Sequence, residues 1–233
     1  MGALSDIKVL DLTRVLAGPY ATMVLADLGA EIIKIEQPEK GDDSRAYGPY
    51  KNGESAYFMS LNRNKESITL NLKAPEGKEI FKALVKQVDV LVENYRPGTM
   101  EKLGLGYDVL KELNPRLIYA SSTGYGQTGP YSQRPAYDAV VQAMGGIMSI
   151  TGQADGKPTR VGSSIGDITA GLFCAIGILT ALHERERSGL GQMVDVAMLD
   201  CQVAILENAI SRYEFTGEIP HPIGNRHPSI VPF

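Results

Sequence analysis

Residues 7–36 read IKVLDLTRVLAGPYATMVLADLGAEIIKIE, and the fold class follows from this stretch. Ile7–Leu12 is a short run with Val9, Leu10 and Leu12 apolar, which predicts a buried strand. Thr13–Pro19 (TRVLAGP) has no periodicity and predicts a loop. Pro19 suits a first helical turn, where a missing N–H costs nothing. Tyr20–Leu28 carries a helical stripe that Gly29 ends, and Glu31–Glu36 is a second strand. Strand, loop, helix, strand is the right-handed parallel unit from which open sheets are built.

Working outward, the rhythm repeats. Ser67–Leu72 alternates like a strand, and Pro75-Glu76 starts a helix to about Gln87 with Ile80, Phe81, Leu84 and Val85 on its inner face. Asp89–Val92 is the next strand, ending at Glu93-Asn94. Thr99–Leu103 and Tyr107–Leu113 are short helices, the second stopped by Asn114-Pro115. Arg116–Ser121 is a strand, Tyr137–Met144 a helix broken by Gly145-Gly146, Gln192–Val196 a short strand and Leu199–Phe215 a last amphipathic helix. Strands alternating with helices predict an α/β, Rossmann-like open sheet, mostly parallel and flanked by helices. Ligands of such sheets sit beyond the carboxyl ends of the strands, which directs attention to Arg14–Pro19, Gln37–Ser44, Asn94–Gly98 and Ser122–Pro135. Residues 41–64 are the longest irregular stretch, and a connection of that length is usually functional or mobile.

The segment 160–187, RVGSSIGDITAGLFCAIGILTALHERER, is the central helix of the chain. Small residues open it, Asp167 follows, and the fifteen residues Ile168–Leu182 carry no charge. Apolar residues on every face predict a long buried helix. The run is short for a bilayer span and ends in charges, so a core helix is expected. Asp167 falls where an N-cap belongs, in the partial positive field of the helix start. A plain cap is the simplest account of it. Partial desolvation and the small residues Gly162, Ser163, Ser164 and Gly166 beside it make it a candidate reactive carboxylate as well.

The chain has 233 residues, 43% hydrophobic and 21% charged, enough to bury a sizeable core. A net charge of −4 gives no general pull toward nucleic acid or anionic membrane. The start, MGALSDIKVLDLT, lacks a signal-peptide pattern, and Asp6 stands where a myristoylation signal wants Ser or Thr. Cys174 and Cys201 form no CxxC and lie in apolar patterns, which predicts reduced core residues in a cytoplasmic protein. Residues 217–233, GEIPHPIGNRHPSIVPF, have no periodicity and read as a linker toward a second domain, after a large α/β domain over 1–216.

Other chemistries fare worse on the residues. A nicotinamide site would use Glu36 on a ribose, but Ala17-Gly18-Pro19 is not GxGxxG and Pro19 removes an amide donor. His221, Asn225 and His227 lie close together without a carboxylate, so surface or backbone-capping histidines are expected there, and no metal. Tyr125 in GYGQTG does not form a nucleophile elbow. The cations and amides near strand ends, Arg14, Lys34, Lys73, Asn94, Arg96, Lys102 and Arg134, would individually be surface groups and together suit a phosphate-bearing ligand.

VLDLTRVLAGPYATMVLADLGAEIIKIEQPEKGD, then LNRNKESITLNLKAPEGKEIFKALVKQVDVLVENYRPGTMEKLGLGYDVLKELNPRLIYASSTGYGQTGPYSQRPAYD, then the Gly166-Asp167 helix and SGLGQMVDVAMLD closely resemble the class III coenzyme A transferases. This is the family that includes formyl-CoA:oxalate and carnitine CoA-transferases. The resemblance runs from about Leu4 to Phe233 and implies a longer chain, an interlocked homodimer, acyl-CoA and small carboxylic acids as substrates, and no further cofactor or metal. It implies that Asp167 is the nucleophile and that Val15 and Leu16 lie over the thioester end of CoA. It further implies that Leu70, Asn71, Leu72 and Lys73 contact the nucleotide end, that Asn94 and Tyr95 lie near the pantetheine, and that Lys102 lies near the phosphates. Two departures stand out: Gln37-Pro38 replaces an Arg that several members carry there, and Leu16 replaces a polar residue of formyl-CoA transferase, which argues against oxalate.

The implied chemistry is attack of Asp167 on an acyl-CoA, giving a mixed anhydride and then an aspartyl-CoA thioester, with a small dicarboxylate donor such as succinyl-CoA expected by association. α-Methylacyl-CoA racemases share the fold but carry a histidine base where this chain has Tyr137, also counted here among the CoA-site residues. A phenol with an ordinary pKa of about 10 is a poor base at neutral pH, which favours the transferase. A catalytically inert CoA-binding fragment is the third expectation.

Overall fold

The computed structural model describes residues 2–230 and 232; of the expected linker, Val231 and Phe233 lie outside the described residues. The elements are β1 (Lys8–Asp11), α1 (Ala17–Asp27), β2 (Glu31–Glu36), a 3-10 turn (Asp43–Ala46), β3 (Tyr50–Lys51), β4 (Glu54–Ser55), α2 (Ala56–Leu61) and β5 (Lys65–Thr69). They continue with α3 (Pro75–Val85), β6 (Val90–Glu93), α4 (Thr99–Leu103), α5 (Tyr107–Leu113), β7 (Ile118–Thr123), α6 (Asp138–Met144) and α7 (Ile147–Ile150). The last are α8 (Ile165–Ser188), β8 (Met193–Ala197), α9 (Met198–Ala204) and α10 (Ala209–Thr216).

Six strands form one sheet in the order β5-β2-β1-β6-β7-β8, every pairing parallel. Val9, Ile32, Val90, Val92, Ile118 and Ala120 face one core with α1 and α8. Leu10, Leu12, Ile35, Leu91 and Tyr119 face the other, with Phe81 and Val85 of α3, Met100 of α4 and Leu110 of α5. The chain builds β1, β2 and β5 outward, then returns to place β6 on the other side of β1. The β1/β6 junction is therefore the switch point where an open parallel sheet offers a crevice. Small side chains let α8 lie close on α1: a Cβ on Gly171 would come 2.7 Å from the Ala17 carbonyl oxygen.

Several boundaries differ from the sequence expectations, each for a local reason. The strand expected at 67–72 is Lys65–Thr69. The Asn71 side chain accepts the Lys73 N–H at 3.0 Å and its carbonyl accepts Ala74 N–H, so the chain turns before residue 72. The strand expected at 116–121 is Ile118–Thr123, because Asn114 accepts Arg116 N–H at 3.1 Å and extends the turn. On α3 the buried face is Gly77, Phe81 and Val85, and Ile80 is exposed. The expected helix 199–215 is two helices, divided where Glu207 takes a left-handed backbone, φ 57°.

The stretch 41–64 holds more structure than expected. Asn52 (φ 53°) and Gly53 (φ 81°) form the turn of the β3–β4 hairpin, and Ser55 caps α2 by accepting Phe58 N–H at 3.0 Å. The central helix is also corrected. It is 24 residues, long and apolar enough by composition to span a bilayer, yet it packs on α1 and the sheet as a core helix. It is not buried all round: Leu172, Phe173 and Ile176 form an exposed apolar stripe. Cys174 and Cys201 are buried and free.

Candidate active site

The loop after β1 stands on buried charge. Asp11 is fully buried and accepts from Thr13 N–H at 2.9 Å, from the Thr22 hydroxyl at 2.7 Å and from Lys65 Nζ at 3.0 Å. Burial alone would raise its carboxyl; the Lys65 and Lys34 charges and the Thr13 and Thr22 hydroxyls reverse this and hold it well below the carboxylate range. Lys34, expected in a ring of open cations, is instead buried: it donates to the Thr13 carbonyl at 2.7 Å and pairs with Asp42 at 2.9 Å. Asp42 in turn accepts Val15 N–H at 3.1 Å and Ser44 N–H at 2.9 Å. Val15 sits at φ 68°, a strained conformation for a β-branched residue, held by that bond.

Two further contacts fix the crevice. Asn94 spans the β1/β6 junction, accepting Arg14 N–H and donating to the Arg14 carbonyl, both at 2.8 Å. Its amide is thus committed to the loop backbone. Glu93 accepts Tyr95 N–H at 2.7 Å; burial pushes its carboxyl up to about 7. On the other side of β1, Glu36 receives the Arg45 fork through two 2.7 Å bonds and the Ser67 hydroxyl at 2.6 Å. Burial alone would raise Glu36, but those donors draw it down to about 2.

Asp167 is the third residue of α8, with Ser164 at the cap position, so the expected N-cap assignment is corrected. The cap is supplied from α6: Asp138 Oδ1 accepts Gly166 N–H at 2.8 Å, while its Oδ2 takes Gln142 at 2.8 Å and Arg160 at 3.4 Å. Asp167 is thereby left free of capping duty. Burial, then the neighbouring Asp138 charge, raises its carboxyl from 3.8 to about 7. Its own charge is felt by Tyr57 of α2, whose phenol burial raises to about 12.

A cleft of about 260 Å³ contains Val15, Leu16, Asn94, Tyr95, Tyr137 and Asp167, together with Arg96, Ser122, Arg134 and Asp138. A second cleft of about 630 Å³ contains Leu70, Asn71, Leu72, Lys73, Tyr95 and Lys102, with Glu36 and Gln37. Arg14 and Tyr95 line both, the guanidinium 5.2 Å over the ring. The eleven residues singled out from the sequence therefore fall into two adjoining hollows around the switch point. Sequence reasoning missed Asp138 and Tyr57, which carried no local signal, and reached Asp42 and Ser122 only as members of the strand-end loops Gln37–Ser44 and Ser122–Pro135, without a role. Asp42-Asp43-Ser44 had the short-range look of a turn that accepts its own backbone N–H.

Among the described residues no group of three or more His, Cys, Asp and Glu is placed to hold a metal. His227 caps backbone, its Nδ1 accepting the N–H groups of Ser229 and Ile230 at 3.1 and 2.9 Å.

With this geometry in hand, residues 4–233 match the family model described as CoA-transferase family III. Acetyl-CoA:oxalate CoA-transferase of Acetobacter aceti is 53% identical over 233 residues, covering 100% of this chain and 60% of that protein. Succinyl-CoA:mesaconate CoA-transferase of Haloarcula marismortui is 48% identical over 242 residues, covering 100% of this chain and 61% of that protein. The crystal structure of a CAIB/BAIF family protein from Brucella suis superposes with TM-score 0.94 at 45% identity, covering 100% of this chain and 62% of that one. The chain spans about 60% of the length of these relatives.

Proposed function

This chain belongs to CoA-transferase family III, and from that premise we propose that it moves coenzyme A from an acyl-CoA to a carboxylic acid through Asp167. One observation carries the reading: a partly buried carboxylate, free of structural bonds to neighbouring helices, lies in a cleft that adjoins a larger one at Arg14 and Tyr95. That shape suits a ligand with a reactive acyl end and a long nucleotide tail. The second cleft offers Lys73 and Lys102 to phosphates and Leu70, Leu72 and Leu103 to apolar contact. Gln37, at the departure from the family's Arg, lines it without a cation.

Asp167 adds to the thioester carbonyl, and collapse expels CoA thiolate and leaves a mixed anhydride. CoA thiolate then attacks the aspartyl carbonyl, releasing the first acid and leaving an aspartyl-CoA thioester. The acceptor carboxylate attacks that thioester, expelling CoA thiolate and leaving a new anhydride. CoA thiolate finally takes the new acyl group and frees Asp167. A carboxyl raised to about 7 is ionised at mildly alkaline pH yet more basic than an ordinary carboxylate, which strengthens it as a nucleophile.

Small dicarboxylic acids are the proposed exchange partners, supported by relatives named for succinyl, mesaconate and glutarate transfer. The Acetobacter relative is named for oxalate, so Leu16 alone does not exclude that acid. The full-length protein is proposed to be a cytoplasmic interlocked homodimer; the two free buried thiols support a reducing compartment.

Hydroxylamine trapping tests the proposal. Acyl-CoA should yield a hydroxamate at Asp167, and an active parent whose Asp167→Ala variant exchanges CoA equally fast would end it. Tyr137, exposed at the start of α6, offers nothing toward the racemase alternative. Rapid α-deuteration of an acyl-CoA in deuterium oxide without acceptor would favour that alternative instead, and absence of any adduct would favour an inert CoA-binding chain.

A further inference from the structure

Ser122 is 2% exposed, lines the Asp167 cleft, and its hydroxyl meets no hydrogen-bond partner among the described residues. A hydroxyl buried in this way costs about 1–3 kcal/mol. Ser122 shares its face of β7 with Ile118 and Ala120, by the two-residue period of a strand. Those two pack in one cluster with Ala17 of α1 and with Ala170, one turn beyond Asp167 on α8. Thr123 is also buried without a partner and lines the same cleft, but the two-residue period sends its side chain off the opposite face of β7 from Ser122.

A second set of donors opens on the same cleft. The left-handed turn at Val15 leads directly into α1, and Leu16 and Ala17 line the cleft. The N–H groups of Arg14 and Val15 are taken by Asn94 and Asp42, whereas those of Leu16, Ala17 and Gly18 meet no acceptor among the described residues. These amides carry the partial positive charge of a helix start. Arg14, Arg96 and Arg134 also line this cleft, while Ser122 and the helix-start amides are its neutral donors.

We propose that the Ser122 hydroxyl and the first amides of α1 form the oxyanion subsite for the acyl-CoA thioester. The inference rests on the transferase reading and deepens it. When an Asp167 oxygen adds its electron pair to the thioester carbon, the carbonyl π pair moves onto oxygen. Ser122 and the amides hydrogen-bond that oxygen. Return of the pair expels CoA thiolate and completes the anhydride. Donors fixed in a partly desolvated cleft stabilise the negative charge that develops on that oxygen.

The test is Ser122→Ala in the full-length protein, with succinyl-CoA as donor and glutarate as acceptor. Loss of one oxyanion donor lowers kcat by about a hundredfold, with KM for the donor unchanged within about twofold. Because the hydroxyl has no partner, its removal leaves the melting temperature equal or higher, which a structural serine would not do. A kcat within about threefold of the parent overturns the proposal and leaves the transferase reading intact. A parent that neither exchanges CoA nor forms the Asp167 hydroxamate overturns both. Should Ser122→Ala melt lower, Ser122→Cys decides, since it keeps the size with a weaker donor. Restored melting with kcat still depressed at least tenfold supports the subsite, and restored kcat removes it.

Discussion

Asp167→Asn should make the protein more stable while abolishing the proposed CoA transfer. The folded carboxyl titrates at about 7 instead of 3.8, first through burial and then through repulsion from Asp138. Between those values the folded chain holds a proton that the unfolded chain has released. Stability therefore falls as pH rises through this window, and the loss is complete above about pH 7. A rise of about three pH units at about 1.4 kcal/mol each gives on the order of 4 kcal/mol. Two effects reduce the gain from substitution: the amide must also be desolvated, and the attraction between charge and helix start, about 0.3–1 kcal/mol, is given up. On the order of 2–3 kcal/mol should remain at pH 8. For a chain of this size that is about 5–10 °C in melting temperature. Thermal unfolding of parent and variant at pH 4 and pH 8 measures it, and the difference should shrink toward zero at the lower pH. A variant that melts at or below the parent at pH 8, or with the same offset at both pH values, would refute the desolvated carboxylate.

Asp42→Ala should cost about 3–5 kcal/mol in urea titration, because Lys34 stays buried without its carboxylate; undiminished stability would deny the pair any structural role. Asn94→Ala removes both bonds of the clasp on Arg14 and should raise KM for acyl-CoA about tenfold, the equivalent of about 1.4 kcal/mol, with a smaller effect on melting. Gly171→Ala puts a methyl against the Ala17 backbone and should cost about 1–3 kcal/mol. Gly177→Ala meets only the Val194 side chain, which can rotate, so the two variants should separate clearly in chemical denaturation.

The parallel sheet was legible because its strands are short apolar runs punctuated by Gly, Pro and Asn, and Glu31–Glu36, Thr99–Leu103 and Tyr107–Leu113 match their elements to the residue. Boundaries slipped where one side chain captured nearby backbone, as Asn71 and Asn114 do. The β3–β4 hairpin was missed although Asn52-Gly53 is a strong turn signal, because its strands are two residues each and carry no alternation. Asp167 was legible as a charge before an oily run. Its freedom from capping was not, since Asp138 caps the helix at Gly166 from 28 residues upstream, through a contact made only by folding. Lys34 looked like a surface cation because an isolated Lys usually is one. The closing of Asp42 over it, with the Thr13 carbonyl accepting beside it, makes burial tolerable.

The strand order has a consequence for synthesis on the ribosome. β1 gains its first neighbour, β2, within about 25 residues, but its other edge waits for β6, some 80 residues downstream. Until then the nascent chain presents the backbone of Lys8–Asp11 as an open template beside Val9, Leu10 and Leu12. Domains that emerge N-terminus first are exposed to mispairing for as long as such an edge is uncovered. Delay after β2 has emerged and before β6 has done so should therefore raise the share of chains that aggregate during expression, and a slowed codon run that acts only once β6 has cleared the ribosome should not.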